Sequence, residues 1–490
     1  MNILRIVWYV KAFGAKYGKT IVVSIIVGAI LVALFPSLLE QMNVGKRTQY
    51  IGRVGMFSFS QLPRDILEQV SFGLTSVADD GTVKLALATS YRMEENGKAY
   101  RFTLPSNARW QDGVEVAPSQ VSYAFSDTDI TRSASDIIFR INSKKQDESS
   151  SDPILPVSFL SLVSAPLFRQ VQSGNFLFPT TKIIGLGKYR IVSIQYKDGS
   201  ISQILLDSDS DRKIYRFFPT EADALTAFKS GQVDIVQGLL DAQDIANWKQ
   251  VKLTTQIHAD EYVGVFLNLG FTADQNTPFA DKSIRQALNF ALAKTTDENR
   301  VLSPISKKSW AYIGNEADLE PFEKNMQTAV DLLVKADTPS KLAFTLSTTG
   351  SYSQNAEAIV KQWNELGQAA YISCMQQAGA NKTQCQNKQI DAQVRITSFP
   401  DVTSYSAMLI GAQIPKDPDQ YSLWHSTQAT NITHYKNPRI DKLLEDGRQT
   451  QSQEERKLIY SEFQRTLVKD SPVIFLTPVE TYDIERKNLL

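Results

Sequence analysis

Between Thr20 and Leu39 the chain reads TIVVSIIVGAILVALFPSLL, without one charged side chain. Coiled into a helix, that run is about 30 Å long, the thickness of the hydrocarbon core of a bilayer. Arg5, Lys11, Lys16 and Lys19 precede it with no acid, and Trp8, Tyr9 and Tyr17 sit where interfacial aromatics anchor a span. Basic flanks stay on the cytoplasmic side, so the pattern predicts a single-pass protein of the cell membrane. Residues 1–19 would be a cytoplasmic basic segment, 20–39 a transmembrane helix in contact with the lipid bilayer, 40–48 a linker, and the main domain extracytoplasmic. A cleaved signal peptide is the competing reading, although Phe35-Pro36-Ser37-Leu38-Leu39-Glu40 offers no small-x-small exit. A buried core helix is the third.

The compartment bears on Cys374 and Cys385, the two cysteines of the sequence, because thiols outside the cytoplasm can oxidise. A Cys374–Cys385 disulfide is the favoured expectation. Closing a loop of about 12 residues stabilises by roughly 3 kcal/mol in the chain-entropy model. Two unlinked thiols in a loop are the alternative, and a metal site is not expected, since CMQQAGANKTQC supplies two soft ligands and no His. Hydrophobic residues at 42% and charged residues at 21% describe a chain that can bury cores, which excludes the disordered and collagen-like classes. Lys plus Arg and Asp plus Glu both number 52; setting aside the four cations before the apolar run leaves 48 against 52. No chain-wide basic field is present, so no nucleic-acid partner is expected.

Beyond Gln49 strand-like and helix-like stretches alternate, a mixed α/β pattern without a solenoid repeat. Strands are predicted at Ala99–Leu104, Ile137–Ile141, Tyr189–Ile194, Ile201–Leu206, Lys213–Phe218, Val233–Val236, Val263–Leu269 and Lys341–Ser347. Glu221–Ser230 reads as a helix stopped by Gly231. Asp281 caps a helix carrying Ile284, Ala287, Leu288 and Ala291, and Ser452 with Glu455 forms a capping box. Ser143–Asp152 and Gln376–Gln389 read as solvated excursions.

Enzyme signatures are missing. His258, His425 and His434 are the histidines, none within an HExxH helix, and no GxSxG elbow occurs. Gly185-Leu186-Gly187 has Arg190 where a dinucleotide loop needs its third glycine, and Gly18-Lys19-Thr20 lacks the earlier glycine of a phosphate loop. Asp207-x-Asp209-x-Asp211 begins like a calcium loop, yet Arg212 occupies the glycine position and Phe218 that of the bidentate carboxylate. A paired-carboxylate site is a three-dimensional feature that one sequence does not display. The reading is a non-enzyme without cofactor or metal, an anchored hydrolase being the least favoured alternative.

Several stretches, in order, resemble the family 5 extracellular solute-binding proteins of ABC importers, of the oligopeptide- and dipeptide-binding type. They are Leu62-Pro63 through Gly73-Leu74-Thr75; Leu87-Ala88-Thr89-Ser90-Tyr91; Gly97-Lys98-Ala99-Tyr100-Arg101-Phe102-Thr103-Leu104; Trp110-Gln111-Asp112-Gly113; and Gly185 to Tyr189. Ala227 to Ile235, Pro278 to Leu288, Asp417-Pro418-Asp419 and Asn431 to Asp441 continue the match. Trp110 with Asp112-Gly113 reads as packing and a tight turn rather than ligand contact.

The resemblance implies an α/β, periplasmic-binding-protein-like clamshell (class II, three-lobed) behind the N-terminal transmembrane helix. Lobe I would combine 49–75, 184–258 and 471–490, lobe II 76–183, and lobe III 259–470. A peptide or other small-molecule ligand would lie between lobes I and III, and the partner would be the permease subunits of an ABC importer; a monomer is expected. Phe57, Phe59, Tyr262, Phe266, Tyr421 and Trp424 are the candidate aromatic wall, because large rings tolerate varied ligand side chains. Peptide binders of the family place an Asp shortly before the "DP" segment to pair the ligand's amine; here Gln413-Ile414-Pro415-Lys416 stands there, leaving Asp417 and Asp419 as candidate substitutes. A sensor or surface interaction protein with the same clamshell and no transporter is the alternative function.

Overall fold

The computed structural model describes residues 16–19, 23–24, 46–142, 155–175, 178–242, 245, 247–270, 278–294, 300–398 and 400–487. The expected span at 20–39, except Val23 and Ser24, and the loop Ser143–Asp152 lie outside them. Among the described residues no helix is long and apolar enough to cross a membrane.

In chain order the strands are β1 (Arg47–Val54), β2 (Thr75–Val77), β3 (Val83–Leu85), β4 (Ser90–Glu94), β5 (Ala99–Thr103), β6 (Thr128–Arg132), β7 (Asp136–Ile141), β8 (Arg169–Asn175) and β9 (Phe178–Ile184). They continue with β10 (Arg190–Lys197), β11 (Ser200–Asp207), β12 (Asp211–Phe218), β13 (Ile235–Leu239), β14 (Val251–Leu267), β15 (Leu342–Thr348), β16 (Ile390–Ile396), β17 (Ala407–Gln413) and β18 (Val473–Arg486). Among the described residues ten strands form one sheet in the order β10-β11-β12-β1-β13-β18-β14-β17-β15-β16. β4, β5, β7 and β6 form a separate four-stranded sheet.

Helices cover both faces of the large sheet. On its first half, α1 (Arg64–Val70) buries Ile66 and Val70 with Ile51 and Tyr215, and the short α2 (Phe159–Leu162) belongs to the four-stranded unit. The opposite face takes α3 (Glu221–Lys229), which buries Ala224 and Phe228 against Val236 and Ile484. Thr220 caps α3 by accepting from the Asp223 N–H, and Gly231 ends it at φ +77. On the second half, α4 (Lys282–Ala291), α5 (Met326–Lys335) and α6 (Ser353–Met375) pack on Val263, Val265, Leu346 and Leu409. Two helices cover the reverse face after the short α7 (Lys382–Gln386) and α8 (Tyr421–Trp424). They are α9 (Pro438–Gln449) and α10 (Gln453–Asp470), packed on Phe266, Met408 and Val473. Strand residues alternate between the two cores because successive side chains point to opposite faces.

Two strands run through both halves. β14 and β18 pair antiparallel from Val251↔Arg486 to Phe266↔Val473. The ladder breaks between His258 and Tyr262, so Ala259, Asp260 and Glu261 bulge from it opposite Pro478, whose ring nitrogen has no hydrogen to donate. Sequence pattern alone predicts the second half of β14, at Val263–Leu269. The first half, VKLTTQIHADE, is too polar to read as a core strand, because residues 252–257 are exposed on both faces.

The four-stranded unit has its own core, with Trp110, Phe102, Phe139 and Phe159 among its members. Gln111 stitches it to the large sheet: Nε2 lies 3.0, 2.9 and 2.7 Å from the carbonyls of Val70, Gly187 and Tyr189, and Oε1 accepts from the Gly185 N–H. A Cβ on Gly185 would meet the Val70 carbonyl at 2.2 Å. The Gly185-Leu186-Gly187 turn is therefore a close backbone approach, not a nucleotide loop.

Cys374, at the end of α6, and Cys385, in α7, form the expected disulfide, with Cα atoms 5.4 Å apart. Asp281 accepts from the Ser283 N–H and Ser452 from the Glu455 N–H, so both N-caps are present, while the Ser452 hydroxyl donates to Glu454 and the return bond from Glu455 that would complete the box is not made among the described residues. Asp211 accepts from Tyr189, Ser208 and Ser210, which makes the acidic run a turn.

Candidate functional site

Strand polarity locates the site. β1, β12 and β13 run parallel, as do β15, β16 and β17. β13 is antiparallel to β18, β18 to β14, and β14 to β17. The two parallel sets thus point at each other, and their carboxyl ends meet where β14 and β18 cross between the halves. Ligands of open α/β sheets bind outside the carboxyl ends of the strands.

A cavity of about 440 Å³ opens there. Residues 240–242, which follow β13, line one side with Leu253 and Tyr482; Gly350, Ser351 and 353–355, which follow β15, line the other. Further along β14, two cavities of about 180 and 160 Å³ share Ile257, Ala259, Ser306, Lys308 and Ile414. Leu253 and Ile257 alternate along one face of β14 and are exposed, Ile257 by 46%. An aliphatic row left open between polar walls is a surface for a ligand's apolar part.

Charge is placed beside it. Glu261, in the bulge, pairs in register with Gln413 on β17. Tyr352 lies over Gly411, where an added Cβ would come within 3.3 Å of its hydroxyl. Burial, with the nearby Glu261 charge, raises the Tyr352 pKa, so this phenol stays a donor at neutral pH. Lys416 is tied to Asp79 at 3.2 Å.

The expected aromatic wall is not assembled from the six predicted rings. Tyr262 and Phe266 are 4% and 5% exposed, 6.1 Å apart, and belong with Phe475 to the core beneath α9 and α10. Trp424, 3% exposed, lies in the same core and donates to Gln420 Oε1 at 3.2 Å. They fall inside because they share the strand face, or end the short helix, that α9 and α10 cover. Phe57 is half-buried, edge-on to Phe217 at 5.3 Å, and Phe59 packs edge-on to Phe168 at 5.2 Å. Tyr421 stacks on His425 at 4.2 Å with the Arg448 guanidinium 4.3 Å from its centre.

Asp417 and Asp419 also have partners within the protein. Asp417 accepts from Ser161 at 2.6 Å and from the Asp419 N–H at 2.9 Å, and lies 3.5 Å from Arg456. Asp419 accepts from Ser158 at 2.5 Å and lies 3.3 Å from Arg448. The Ser158 and Ser161 side chains come from the four-stranded unit, so the Asp-Pro-Asp turn docks that unit on α9 and α10. Burial outweighs Arg456 and raises the Asp417 pKa.

Leu253, Ile257, Glu261, Tyr352 and Gln413 line or flank the crossing without having been predicted. The signal for the first two was weak, since Val251, Leu253 and Ile257 fall on one strand face but Thr255 interrupts the pattern. Nothing local marks Tyr352 or Glu261, because sheet register brings them together. Among the described residues no group of three or more His, Cys, Asp or Glu could hold a metal ion.

Comparison with known proteins points the same way. A family model described as bacterial extracellular solute-binding proteins, family 5 Middle, matches residues 82–414. The oligopeptide-binding protein AppA of Bacillus subtilis (strain 168) is 22% identical over 475 residues, 86% of this chain and 83% of its own. The periplasmic murein peptide-binding protein MppA of Escherichia coli (strain K12) is 20% identical over 463 residues, 84% of this chain and 82% of its own. NikZ from Campylobacter jejuni, solved in complex with Ni(L-His), matches with a TM-score of 0.65 at 19% identity, covering 91% of this chain and 95% of that one. AppA from Bacillus subtilis in complex with a nonapeptide matches at 0.62 and 19%, covering 90% and 95%. The structural matches show the α/β solute-binding-protein fold.

Proposed function

Because the chain belongs to the bacterial extracellular solute-binding proteins, family 5, we propose that it captures a peptide or other small solute at the strand crossing and delivers it to the permease subunits of an ABC importer. The observation that carries this reading is the meeting of two sets of strand carboxyl ends across a cavity floored by β14 and β18. In this reading lobe I comprises 49–75, 184–258 and 471–490, lobe II 76–183 and lobe III 259–470. Two strands joining two lobes form a hinge, and the bulge at Ala259–Glu261 is the place where its ladder is interrupted. A solute that touches both lobes favours the closed state by its differential contacts, and the importer recognises that state. Relatives named for oligopeptides and murein peptides favour a peptide ligand.

The uncharged run at 20–39 is proposed to anchor the chain, with the cleft outside the cell membrane. No catalytic step is assigned to the site. Native mass spectrometry of the full chain, released from detergent, tests the function: peptide-sized adducts that exchange with an added tripeptide library are expected. A chain that carries no adduct and binds no member of the library would refute it.

A further inference from the structure

A cavity of about 680 Å³ lies on the first half of the large sheet and shares no lining residue with those at the crossing. The core beneath α3 takes no residue from β10 or β11, so beside the helix that face of the β10–β11 hairpin is left open. Asp223, Thr226 and Ala227, at helical spacings of three and four, make one wall of the groove. Gln195, Gln203 and Arg216 make its floor as one cross-strand row, Gln195 in register with Gln203 and Gln203 with Arg216. Arg216 Nε donates to Gln203 Oε1 at 3.0 Å, a terminal nitrogen donates to the Gln232 carbonyl at 3.0 Å, and the guanidinium lies 5.6 Å from the centre of the Tyr50 ring, so the row is held in place. Among the described residues, Gln203 Nε2 and the Gln195 side-chain amide have no protein partner. Lining charge is balanced, with Lys197 and Arg216 against Asp198 and Asp223. Met56, 67% exposed, and Phe218 add apolar surface. Gln203 sits four strands from β18, about 19 Å from the crossing.

We propose that this groove binds a neutral saccharide, at a second ligand site separate from the crossing. The inference goes beyond solute capture and does not depend on it. Each sugar hydroxyl both donates and accepts, and a glutamine amide offers one group of each kind side by side, so a row of amides held by an arginine matches neighbouring hydroxyls. Balanced charge gives an ionic ligand no advantage. An extended peptide finds no free edge here, because β11 and β12 are internal strands whose main-chain groups are engaged with β10 and β1. Apolar atoms beside the amides suit the C–H face of a pyranose ring. The same chemistry is offered by a free disaccharide and by a sugar unit within a glycan strand of the cell envelope.

The test titrates the full chain in detergent with cellobiose, maltose and N,N′-diacetylchitobiose by calorimetry, and separately sediments it with peptide-free glycan strands of bacterial cell wall. At least one disaccharide should bind with a Kd of about 1 mM or below, or the glycan strands should carry the chain into the pellet. Soluble binding alone assigns the site to a free saccharide, and co-sedimentation assigns it to envelope glycan; either supports the proposal if it depends on the groove. Gln195→Ala with Gln203→Ala should weaken the interaction at least tenfold. Thr226→Arg, which puts a long side chain into the groove from an exposed helix position, should abolish it and decides the matter if the double variant does not fold. Binding of the tripeptide library at the crossing should be the same in all three proteins. Absence of binding by every disaccharide and by the glycan strands, or sugar binding that survives Thr226→Arg, would overturn the inference and leave the solute-binding function standing.

Discussion

Replacing Asp417 by Ala separates a docking role from a ligand-binding one. The substitution removes the acceptor of Ser161 and of the Asp419 N–H, and leaves Arg456, itself buried, with Gly447 O and Tyr460 Oη as its remaining polar partners. Loss of one partner of a buried, hydrogen-bonded ion pair costs about 3 kcal/mol, after allowing for the desolvation that Asp417 no longer suffers. With an unfolding entropy of about 2.1 cal/mol/K per residue over roughly 440 residues, that is a fall of about 3 °C in the thermal midpoint if the chain unfolds as one. Asp417→Leu with Arg456→Met should recover much of the loss, since an apolar pair leaves no charge unpaired. The pH dependence has a definite sign. Burial raises the Asp417 pKa above its unfolded value, so the native state binds a proton the unfolded chain has released. Its ionisation therefore lowers stability as pH rises through that window, a contribution absent from the variant. Calorimetry from pH 4 to 7, with tripeptide-library affinity measured per folded molecule, provides the check. An unchanged midpoint together with a tenfold loss of affinity would show that Asp417 contacts the ligand and that the docking argument is wrong.

Trp424→Ala should cost about 3–5 kcal/mol by leaving a cavity beneath α9 and α10, with affinity per folded molecule unchanged; a stable variant with weakened binding would return Trp424 to the ligand wall. Replacing Cys374 and Cys385 together by Ser should lower stability by about 3 kcal/mol, as judged by denaturant midpoint in oxidised protein; equal midpoints for wild type and variant would contradict this. Hydrogen bonds from Ser210, Tyr189 and Ser208 hold the Asp211 carboxyl well below the usual carboxylate range. Its stabilisation is complete above the ordinary carboxylate pKa and is lost as pH falls toward the lowered value, so Asp211→Asn should flatten the acid limb of the stability profile. A limb of unchanged slope would show that the turn does not depend on that charge.

Much of the architecture was written locally. The period-2 burial of Ile137–Ile141, the apolar stretch in Ile201–Leu206, the caps at Asp281 and Ser452, and the glycine stop at Gly231 depend on neighbours a few residues away, and the structure has them where sequence places them. The order of motifs from Leu62 to Asp441 was enough to identify the family, because each reflects a turn, cap or packing requirement of the fold. The pairing of Cys374 with Cys385 followed from compartment and spacing.

The site was decided by tertiary structure. Whether an aromatic is wall or core depends on which sheet face a helix covers, and Tyr262, Phe266 and Trp424 lie on the covered side of β14 and β17. The acids of Asp417-Pro418-Asp419 look free in one dimension, yet Ser158, Ser161, Arg448 and Arg456 reach them from segments at sequence distances of up to 261 residues. Glu261 faces Gln413, and Arg300 lines the same cavity as Ile257 and Pro478, because two long strands bring residues 251–267 and 473–486 together. Local sequence specifies what a segment of a few residues prefers. The environment of a charge or a ring is set by chains that return from hundreds of residues away, and that is where the ligand's end of the problem is decided.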